Sequence, residues 1–261
     1  MLALVSPAKK LDFSTLDRPL AHTEPAFADD TGKLVKAARR LGRGKLQRLM
    51  KLSDSLGELN YRRFRDFAAE ATPDNAKQAA LAFAGDTYAG LDAASLDADD
   101  LAYAQNHLRI LSGLYGLLRP LDLIQPYRLE MGSRLGTRRG ADLYGFWGDK
   151  LARAIDSLVA DHPSPVVVNL ASSEYFKAVG TKSPGAKSLR ARVVTPVFKE
   201  EKNGMAKVIG FVAKRARGAM ARHMITNRIE TPDELKSFTG GGYRYRDKLS
   251  DGDTWVFTRR A

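Results

Sequence analysis

The segment Asn169–Lys177 carries residues that are well suited to proton transfer. It overlaps a short apolar run, Val166–Leu170, which predicts a buried strand, and Ser172 or the serine after it then begins a helix. Glu174 and Lys177 are three residues apart, so a helix places both on one face. A carboxylate beside an ammonium can act as an acid–base couple, and the alternative is a surface ion pair or a helix cap.

A second pair of the same kind is Arg128 and Glu130. The pair lies in Ser112–Arg139, a stretch dense in Gly, Pro, Arg and Tyr that has apolar anchors but no sustained period. Such a stretch is typical of an ordered functional loop. We expect it to line one cleft together with the segment that carries Glu174, since ligands gather at the carboxyl ends of strands in α/β sheets. The candidate catalytic residues are Glu174, Lys177, Arg128 and Glu130.

A glycine turn, Ser112–Gly116, follows a helix predicted over 98–111. Two glycines let the backbone turn tightly, and exposed N–H groups at the start of a following helix can meet a phosphate. The turn resembles the hairpin of a helix-hairpin-helix motif, which grips the DNA backbone without reading sequence. It is one residue longer than the usual Gly-apolar-Gly, and Pro120 leaves little room for a second helix. The alternative is a packed glycine turn.

A basic helix is predicted from Lys214, directly after a predicted strand. Lys214, Arg217 and Arg222 share a broad face of it, and cations at a strand end beside a helix N-terminus could cradle a phosphate. The alternative is an amphipathic helix packed by alanine and methionine. Lys9 follows the first predicted strand, Met1–Val5, and is likewise placed to meet an anion.

Several kinds of chemistry are excluded by composition. The chain has no cysteine, which removes disulfides, thiolate nucleophiles and iron–sulfur clusters. Its four histidines are far apart and predict no metal site, and no cofactor is predicted. Five aspartates from Asp86 to Asp100 could hold a hard cation, but a solvated acidic loop is the better interpretation. No P-loop, nucleophile elbow or zinc-protease helix is present.

The cellular location is predicted from the apolar runs. None approaches the roughly 18 to 20 residues that a membrane span needs, and Met1–Pro7 lacks the charged region of a signal peptide. The sequence therefore predicts a cytoplasmic protein with no membrane partner.

The net charge of +12 is concentrated in two blocks. Residues Lys33–Lys51 include eight basic residues and no acid, and Lys182–Arg228 include twelve basic residues against two acids. Such a field attracts polyanions. The alternative is solvated helix faces that keep the protein soluble.

The candidate residues must be positioned by helices and strands. The sequence patterns of these elements predict one compact α/β domain over 1–261, with a central mixed sheet flanked by helices. Helical patterns cover 31–84, with a break at Gly42-Arg43-Gly44 and a new start at Thr72, and also 98–111, 143–160 and 214–228. Strands are predicted at 1–5, 166–170, 192–198, 205–212, 240–245 and 254–258. Asn203-Gly204 predicts the turn of a hairpin.

Seven motifs in order along nearly the whole chain resemble the YaaA family of bacterial peroxide stress proteins. They are Ser6–Lys9, Phe83–Tyr88, Leu108–Asp122, Pro126–Gly132, Phe146–Asp149, Asn169–Lys177 and Lys214–Gly218. The resemblance implies a mixed α/β fold with a positively charged cleft and a helix-hairpin-helix element. It also implies DNA binding without strong sequence choice, and a cellular role in limiting peroxide damage and unincorporated iron.

Two functions follow as hypotheses. The first is a DNA-binding stress protein that holds duplex DNA with low sequence specificity. The second is an enzyme acting on a nucleotide or modified base in the same cleft, so the sequence leaves open whether the protein is an enzyme. Direct iron sequestration is disfavoured, because no cysteine or histidine cluster is present. The predicted DNA- or phosphate-binding residues are Lys9, Ser112, Gly113, Leu114, Tyr115, Gly116, Arg119, Arg128, Asn169, Ser172, Lys177, Lys214, Arg215, Arg217 and Arg222.

Overall fold

The computed structural model describes residues 1–15, 20–180 and 188–260. Its strands are β1 (Leu2–Val5), β2 (Lys10–Leu11), β3 (Lys77–Gln78), β4 (Phe83–Ala84), β5 (Leu108–Ser112), β6 (Gly116–Leu118), β7 (Leu123–Ile124), β8 (Val166–Leu170), β9 (Arg192–Lys202), β10 (Met205–Lys207), β11 (Arg244–Tyr245) and β12 (Thr254–Arg260).

The α-helices are α1 (Ala28–Arg39), α2 (Arg43–Met50), α3 (Asp54–Asp66), α4 (Ala79–Ala82), α5 (Asp86–Leu91), α6 (Ala98–His107), α7 (Leu143–Trp147), α8 (Lys150–Ala160), α9 (Ser173–Gly180) and α10 (Gly210–Thr226). Short 3-10 turns occur at 93–95, 232–237, 240–242 and 247–249. Within the described ranges, no helix combines the length and the apolar character needed to cross a membrane.

The central element is an eight-stranded mixed sheet in the order β11-β12-β9-β8-β1-β5-β6, with β10 paired to β9. Strands β12, β9, β8, β1 and β5 run parallel, and β6, β10 and β11 are antiparallel additions. Every residue of β1 is buried, which suits an apolar run covered on both faces of a parallel sheet. Parallel pairing brings the carboxyl ends of β1, β5, β8 and β9 to one edge, here called the carboxyl edge.

The mixed α/β fold predicted from the sequence is therefore confirmed. One contiguous core joins the sheet to helices on its faces, with β1 at its centre. Helix α8 has an apolar side that buries Leu151, Ile155 and Val159 at helical spacing. Helix α10 packs beneath β1, β8 and β9 and crosses α5 closely.

The helix predicted over 98–111 is too long. Helix α6 ends at His107, and Leu108–Ser112 are instead strand β5, with all five side chains buried. The register Ala3↔Leu108 to Val5↔Ile110 pairs β5 with β1. Pairing with a buried neighbouring strand satisfies the backbone of this apolar run, and it overrides the local helical pattern.

The helix-hairpin-helix predicted at Ser112–Gly116 is not formed there, because this turn joins two strands. Residues of β5 and β6 pair antiparallel across it, with Ser112 opposite Gly116. Gly116 has φ +73°, and a side chain there would clash with Trp147. The turn is buried, so its amides do not face solvent as phosphate binding would require.

Other boundaries shift for local reasons. The predicted helix start at Thr72 is a turn, closed by bonds from the Asn75 and Ala76 amides to the Thr72 carbonyl. The helix predicted over 143–160 is divided into α7 and α8 at Gly148, which has φ +52°. The hairpin at Asn203-Gly204 is present, both residues having positive φ as a type I′ turn requires. The strand predicted to 212 ends at Lys207, because α10 begins at Gly210.

Two helices joined by a short glycine-containing turn do occur, but nearer the start of the chain. Helix α1 ends at Arg39, and α2 begins at Arg43 with Gly42 as its N-cap. The predicted break at Gly42-Arg43-Gly44 therefore marks a real boundary between helices.

Candidate functional site

Three loops at the carboxyl edge are tied to one another in pairs. The loop after β1 meets the loop after β8, since the Ser172 amide donates to Ser6 Oγ at 2.9 Å and Ser6 Oγ donates to Ser172 Oγ at 3.2 Å. The first loop also meets the loop after β7 through Lys9 Nζ and Glu130 Oε2, 3.1 Å apart. We call Ser6, Lys9, Arg128, Glu130, Ser172 and Glu174 the strand-end cluster.

The third link of the cluster runs from the loop after β7 to helix α9. Glu174 Oε1 accepts a hydrogen bond from the Gly132 amide at 3.0 Å. The Tyr144 hydroxyl donates to the Glu174 carbonyl oxygen at 2.9 Å, and the Tyr144 ring faces Lys177 Nζ at 5.0 Å from its centre. Residues separated by up to 166 positions are thus held by short polar contacts at the ends of β1 and β8.

Glu130 lies between two cations. Its Oε1 accepts from Arg128 Nε at 3.3 Å and Nη2 at 3.2 Å, while its Oε2 faces Lys9. The Lys9 side chain is 65% exposed, so screening weakens that ion pair and leaves the ammonium able to reach an incoming anion. The arrangement suits a ligand that carries both an anionic group and a hydrogen-bond donor.

Buried tyrosines form the floor beneath the cluster. The Tyr88 hydroxyl donates to the Ser6 carbonyl oxygen at 3.1 Å, and the Tyr127 hydroxyl bonds Ser112 Oγ at 2.6 Å. Burial raises the pKa of Tyr88, Tyr127 and Tyr175 well above the usual phenol value. These phenols therefore stay neutral and act as hydrogen-bonding supports.

The β5–β6 turn supports the loop that carries Arg128 and Glu130. A side chain at Gly113 would approach the Leu129 carbonyl oxygen to 2.4 Å, so only glycine lets the loop lie so close. The Gly113 carbonyl oxygen in turn accepts from Trp147 Nε1 at 3.1 Å. The sequence predicted that this turn contacts a phosphate. In the structure the turn is buried, and it packs against the loop that carries Arg128 and Glu130.

A second feature is a groove between α1–α2 and the loop 134–139, with a volume of about 810 Å³. Its cationic side chains all reach solvent, and its apolar base includes Leu41, Leu135 and Phe146. We call it the basic groove, after its cations Lys33, Lys36, Arg40, Lys45, Arg134, Arg138 and Arg139.

Asp30 fastens the two walls of the basic groove together. It is 3% exposed and contacts Lys150, Lys33 at 3.2 Å and Arg139 at 2.7 Å. Burial alone would raise its pKa, but hydrogen bonds from Lys150, Arg139 and Lys33 outweigh burial and lower the pKa to about 2. Asp30 is therefore ionised at neutral pH and orients the cations.

The start of α2 lies beside this groove without a side-chain cap. Its N-cap is Gly42, and its first turn contains no acid. The Gly42 carbonyl oxygen accepts from the Lys45 and Leu46 amides. The preceding amides, of Arg43 and Gly44, have no acceptor among the described residues. Helix N-termini of this kind favour anions, because amide hydrogens and the helix dipole both point outward.

Comparison with known proteins identifies the family of this chain. A family model for peroxide stress protein YaaA matches residues 1–249. The chain belongs to the YaaA family. A UPF0246 protein of Burkholderia mallei (strain SAVP1) is 52% identical over 263 residues, covering 100% of this chain and 99% of that protein. A UPF0246 protein of Ruegeria pomeroyi is 54% identical over 259 residues, 99% of this chain and 98% of that protein. Membership supports a role in peroxide stress.

In this YaaA-family chain, four of the predicted binding residues lie at or beside the strand-end cluster: Lys9, Arg128, Ser172 and Lys177. Asn169 is in the adjoining turn, where its Oδ1 accepts from the Ala171 amide at 3.1 Å. Both candidate acids, Glu130 and Glu174, belong to the cluster as well. The two polar stretches that carry Glu130 and Glu174 thus lie side by side at this edge of the sheet.

Other predicted residues lie elsewhere or have other contacts. Arg119 follows β6, which runs antiparallel, and it bonds Asp122 and the Glu24 carbonyl oxygen. Arg222 donates to the Leu91 and Asp92 carbonyl oxygens, which ties α10 to the end of α5. Exposed Lys214 and Arg215, with half-buried Arg217, lie along α10. Two cations of the second basic block, Lys182 and Lys187, lie outside the described residues.

Sequence reasoning missed several residues of the basic groove and of the strand-end cluster. Arg134, Arg138 and Arg139 line the basic groove, yet the surrounding loop has no period that marks it as an element. Three arginines within six residues, with no acid between them, were a usable signal of local charge. Ser6 and Tyr144 gave no such signal, because single hydroxyls are common and only the fold brings them to the cluster.

Proposed function

We propose that this protein is a DNA-binding peroxide stress protein that holds the backbone of duplex DNA without reading its sequence. The observation that carries the proposal is the basic groove, whose walls supply seven cations in about 810 Å³. A groove that is lined by charges of one sign and has an apolar base focuses the electric field. The focused field raises the local concentration of a polyanion of the opposite sign. Its size fits a short run of sugar–phosphate backbone, with the rest of the duplex outside.

The balance of charge in the basic groove supports a phosphate ligand. Five of its cations have no acidic partner within the described part of the chain: Lys36, Arg40, Lys45, Arg134 and Arg138. Neutralising phosphates with such cations releases condensed counterions, and this release supplies most of non-specific DNA affinity. The pair α1–α2 adds backbone donors at Arg43 and Gly44. Together they would contact phosphates and sugars, which position a protein on DNA but do not specify a sequence.

The same contacts give a physical route to limiting iron damage, as part of the proposal. Ferrous ions are among the cations that collect around DNA phosphates, where reaction with peroxide generates radicals beside the sugar. Lysines and arginines that occupy those phosphates displace condensed cations. A protein bound in this way lowers the amount of ferrous iron at the DNA without holding iron itself.

The proposal is tested by salt-dependent binding to a labelled duplex, measured by fluorescence anisotropy. Wild-type protein should lose affinity linearly on a log–log plot against salt. The double variant Lys36→Ala/Arg40→Ala should weaken binding to unrelated sequences equally and reduce the slope by about 1.8, roughly 0.9 for each lost phosphate contact.

A matched control removes an exposed cation far from the groove, Lys248→Ala, which should leave affinity and slope nearly unchanged. Absence of binding at about 50 mM salt, or affinity that does not respond to salt, would contradict the proposal. If the groove variant and the control lose the same amount of DNA affinity for each cation removed, binding is a general effect of net charge and does not depend on the groove.

A second candidate function, an enzyme or binding site for a nucleotide or modified base, is favoured by the strand-end cluster. Lys9 and Arg128 offer cations to a phosphate, and Glu174 has a carboxylate oxygen, Oε2, that no described residue bonds. Sites at the carboxyl ends of parallel strands are where α/β proteins collect ligands. The loop 125–139 links this cluster to the basic groove, so DNA held in the groove would pass close to it.

The second function is tested by thermal shift and turnover over a panel of nucleotides and damaged DNA. A nucleotide that raises the melting temperature of the wild type should do so less in Glu174→Gln, and any turnover should be lost while the ligand-free melting temperature is unchanged. Glu70→Gln, an exposed acid away from the cluster, is the control. A negative panel for the wild type would rule against this candidate and leave the DNA proposal standing.

A further inference from the structure

An exposed apolar patch lies where the β9–β10 hairpin leads into helix α10. Seven large apolar side chains are exposed in the described part of the chain, and four of them fall within residues 205–211. Phe211 is 66% exposed and Met205 is 56% exposed. We call Met205, Val208, Ile209 and Phe211 the arm tip. A cluster of exposed apolar side chains on a protein surface marks an interaction site, whereas single exposed apolar residues do not.

The hairpin that carries the arm tip extends past the carboxyl edge of the sheet. Strand β9 pairs with β8 as far as Val168↔Val194, and β8 ends two residues later at Leu170. Strand β9 continues to Lys202, about six residues or roughly 20 Å beyond that level. Strand β10 pairs back along it from Met205 to Lys207, and α10 starts at Gly210. The arm tip thus runs from the far end of the hairpin, at Met205, back towards the sheet at Phe211, on the side of the carboxyl edge where the strand-end cluster lies.

The arm tip is surrounded by uncompensated positive charge. Five cations on β9, β10 and the start of α10 have no acidic partner among the described residues: Lys199, Lys202, Lys207, Lys214 and Arg215. The two nearby acids are already neutralised, Glu200 by Arg259 at 2.6 Å and Glu201 by Arg246 at 3.6 Å. A partner for this surface must therefore combine negative charge with flat or apolar faces.

Unpaired bases of DNA meet both requirements. Aromatic side chains between cations stack on bases while the cations follow the phosphates, and Phe, Ile and Met are also used as wedges between base steps. A second copy of this chain is a poor partner, because it would bring five further cations against the first five. A lipid surface favours a segregated apolar face, but here Lys207 lies between Met205 and Val208.

We propose that the arm tip binds unpaired bases of DNA held along the carboxyl edge, with Phe211 stacking on a base. The inference rests on the proposed DNA-binding function and assigns it a second contact. The sheet order places β9 on one side of β8 and β1, and β5 on the other. The β9–β10 hairpin and the β5 side of the edge therefore flank the strand-end cluster, so a DNA strand bound at the arm tip passes over the cluster.

The test compares a labelled single strand of about twenty nucleotides with its duplex, using Phe211→Ala and Phe211→Trp in the full-length protein. Phe211→Ala should weaken single-strand binding about 5- to 150-fold, the loss expected for one base-stacking aromatic. Duplex affinity should change less than about twofold. Phe211→Trp should restore single-strand binding, and its indole fluorescence should be quenched by the strand. Leu249→Ala, an exposed apolar residue outside the arm tip, is the control and should change neither affinity.

Each contrary outcome identifies what has failed. If the wild type binds duplex through the basic groove but Phe211→Ala binds single strands as well as the wild type, the inference fails and the proposed function stands. If no DNA of either form binds, both fail. If Phe211→Ala loses affinity only for phosphatidylserine vesicles, the arm tip binds lipid and the inference is overturned. A shift in sedimentation between wild type and Phe211→Ala without DNA would make it a self-association surface instead.

Discussion

Asp30 is the residue that connects burial, charge and the shape of the basic groove. Its carboxylate is nearly inaccessible, yet it stays ionised because three cations from α1, the 134–139 loop and the start of α8 bond it. Without this anion, those cations would repel one another across the groove. One buried acid therefore lets a surface of like charge persist at the point where phosphates are proposed to bind.

Replacing Asp30 with Asn should lower the free energy of unfolding by about 1–3 kcal/mol at neutral pH, because charged hydrogen bonds to a buried acceptor are lost. Since the folded-state pKa of Asp30 is depressed from 3.8 to about 2, its contribution is present above pH 3.8 and is lost as pH falls through that window. Urea unfolding from about pH 5 to about pH 2.5 measures the difference in the free energy of unfolding between wild type and variant. This difference should become smaller as the pH falls, and a difference that stays constant would refute this role of Asp30. Asp29→Asn, one residue earlier and exposed, should change little.

At the scale of elements, helices α5 and α10 meet through their backbones. A Cβ added at Gly90 would lie 2.0 Å from the Arg215 carbonyl oxygen, and one at Gly218 would lie 1.7 Å from the Thr87 carbonyl oxygen. Two facing glycines therefore set how closely the helices cross. This crossing fixes α10 beneath the sheet, and so it fixes where the arm tip emerges.

Gly218→Ala should destabilise the protein by about 3 kcal/mol or more, since backbone contacts this short cannot be relieved by turning a side chain. Gly32→Ala is the matched control, because it is also a helical glycine but nothing lies within 4 Å of an added Cβ. It should stabilise by roughly 0.5–1 kcal/mol through helix propensity. The urea midpoints of Gly218→Ala and Gly32→Ala test this prediction. Similar midpoints would mean that α5 and α10 can move apart at little cost.

At the scale of the whole molecule, the basic surface is divided along one edge of the sheet. The basic groove lies next to the β5–β6 turn through Asp30 and Thr31, whose Oγ1 donates to the Leu114 carbonyl oxygen at 3.2 Å. The strand-end cluster follows β1 and β8, and the β9–β10 hairpin extends past them on one side. The net charge of +12 is therefore not a uniform coat. It places cations on both sides of a polar centre, which is the arrangement that the proposed binding of a DNA strand across that centre requires.

The sequence predicted the parts of this arrangement that depend on local pattern. Buried strands such as Val166–Leu170 and the Asn203-Gly204 hairpin have distinctive residue types, and the acid–base stretches could be placed at strand ends. The β5 strand was read as helix because its identity depends on β1, more than a hundred residues away in sequence. The groove loop was missed for a similar reason, since Arg134 and Arg139 acquire a role only when α1 folds against them.

The position of β1 also has a consequence for how the protein is made. Its residues are translated before those of its two partners, β5 and β8, and β8 ends at Leu170. At about 5–20 residues per second, β1 waits about 8 to 33 seconds for the second of these strands. During synthesis this fully apolar segment must be sheltered from other nascent chains, because an unpaired strand edge invites aggregation. The strand-end cluster is therefore assembled late, because it needs the loop after β8 as well as the loop after β1.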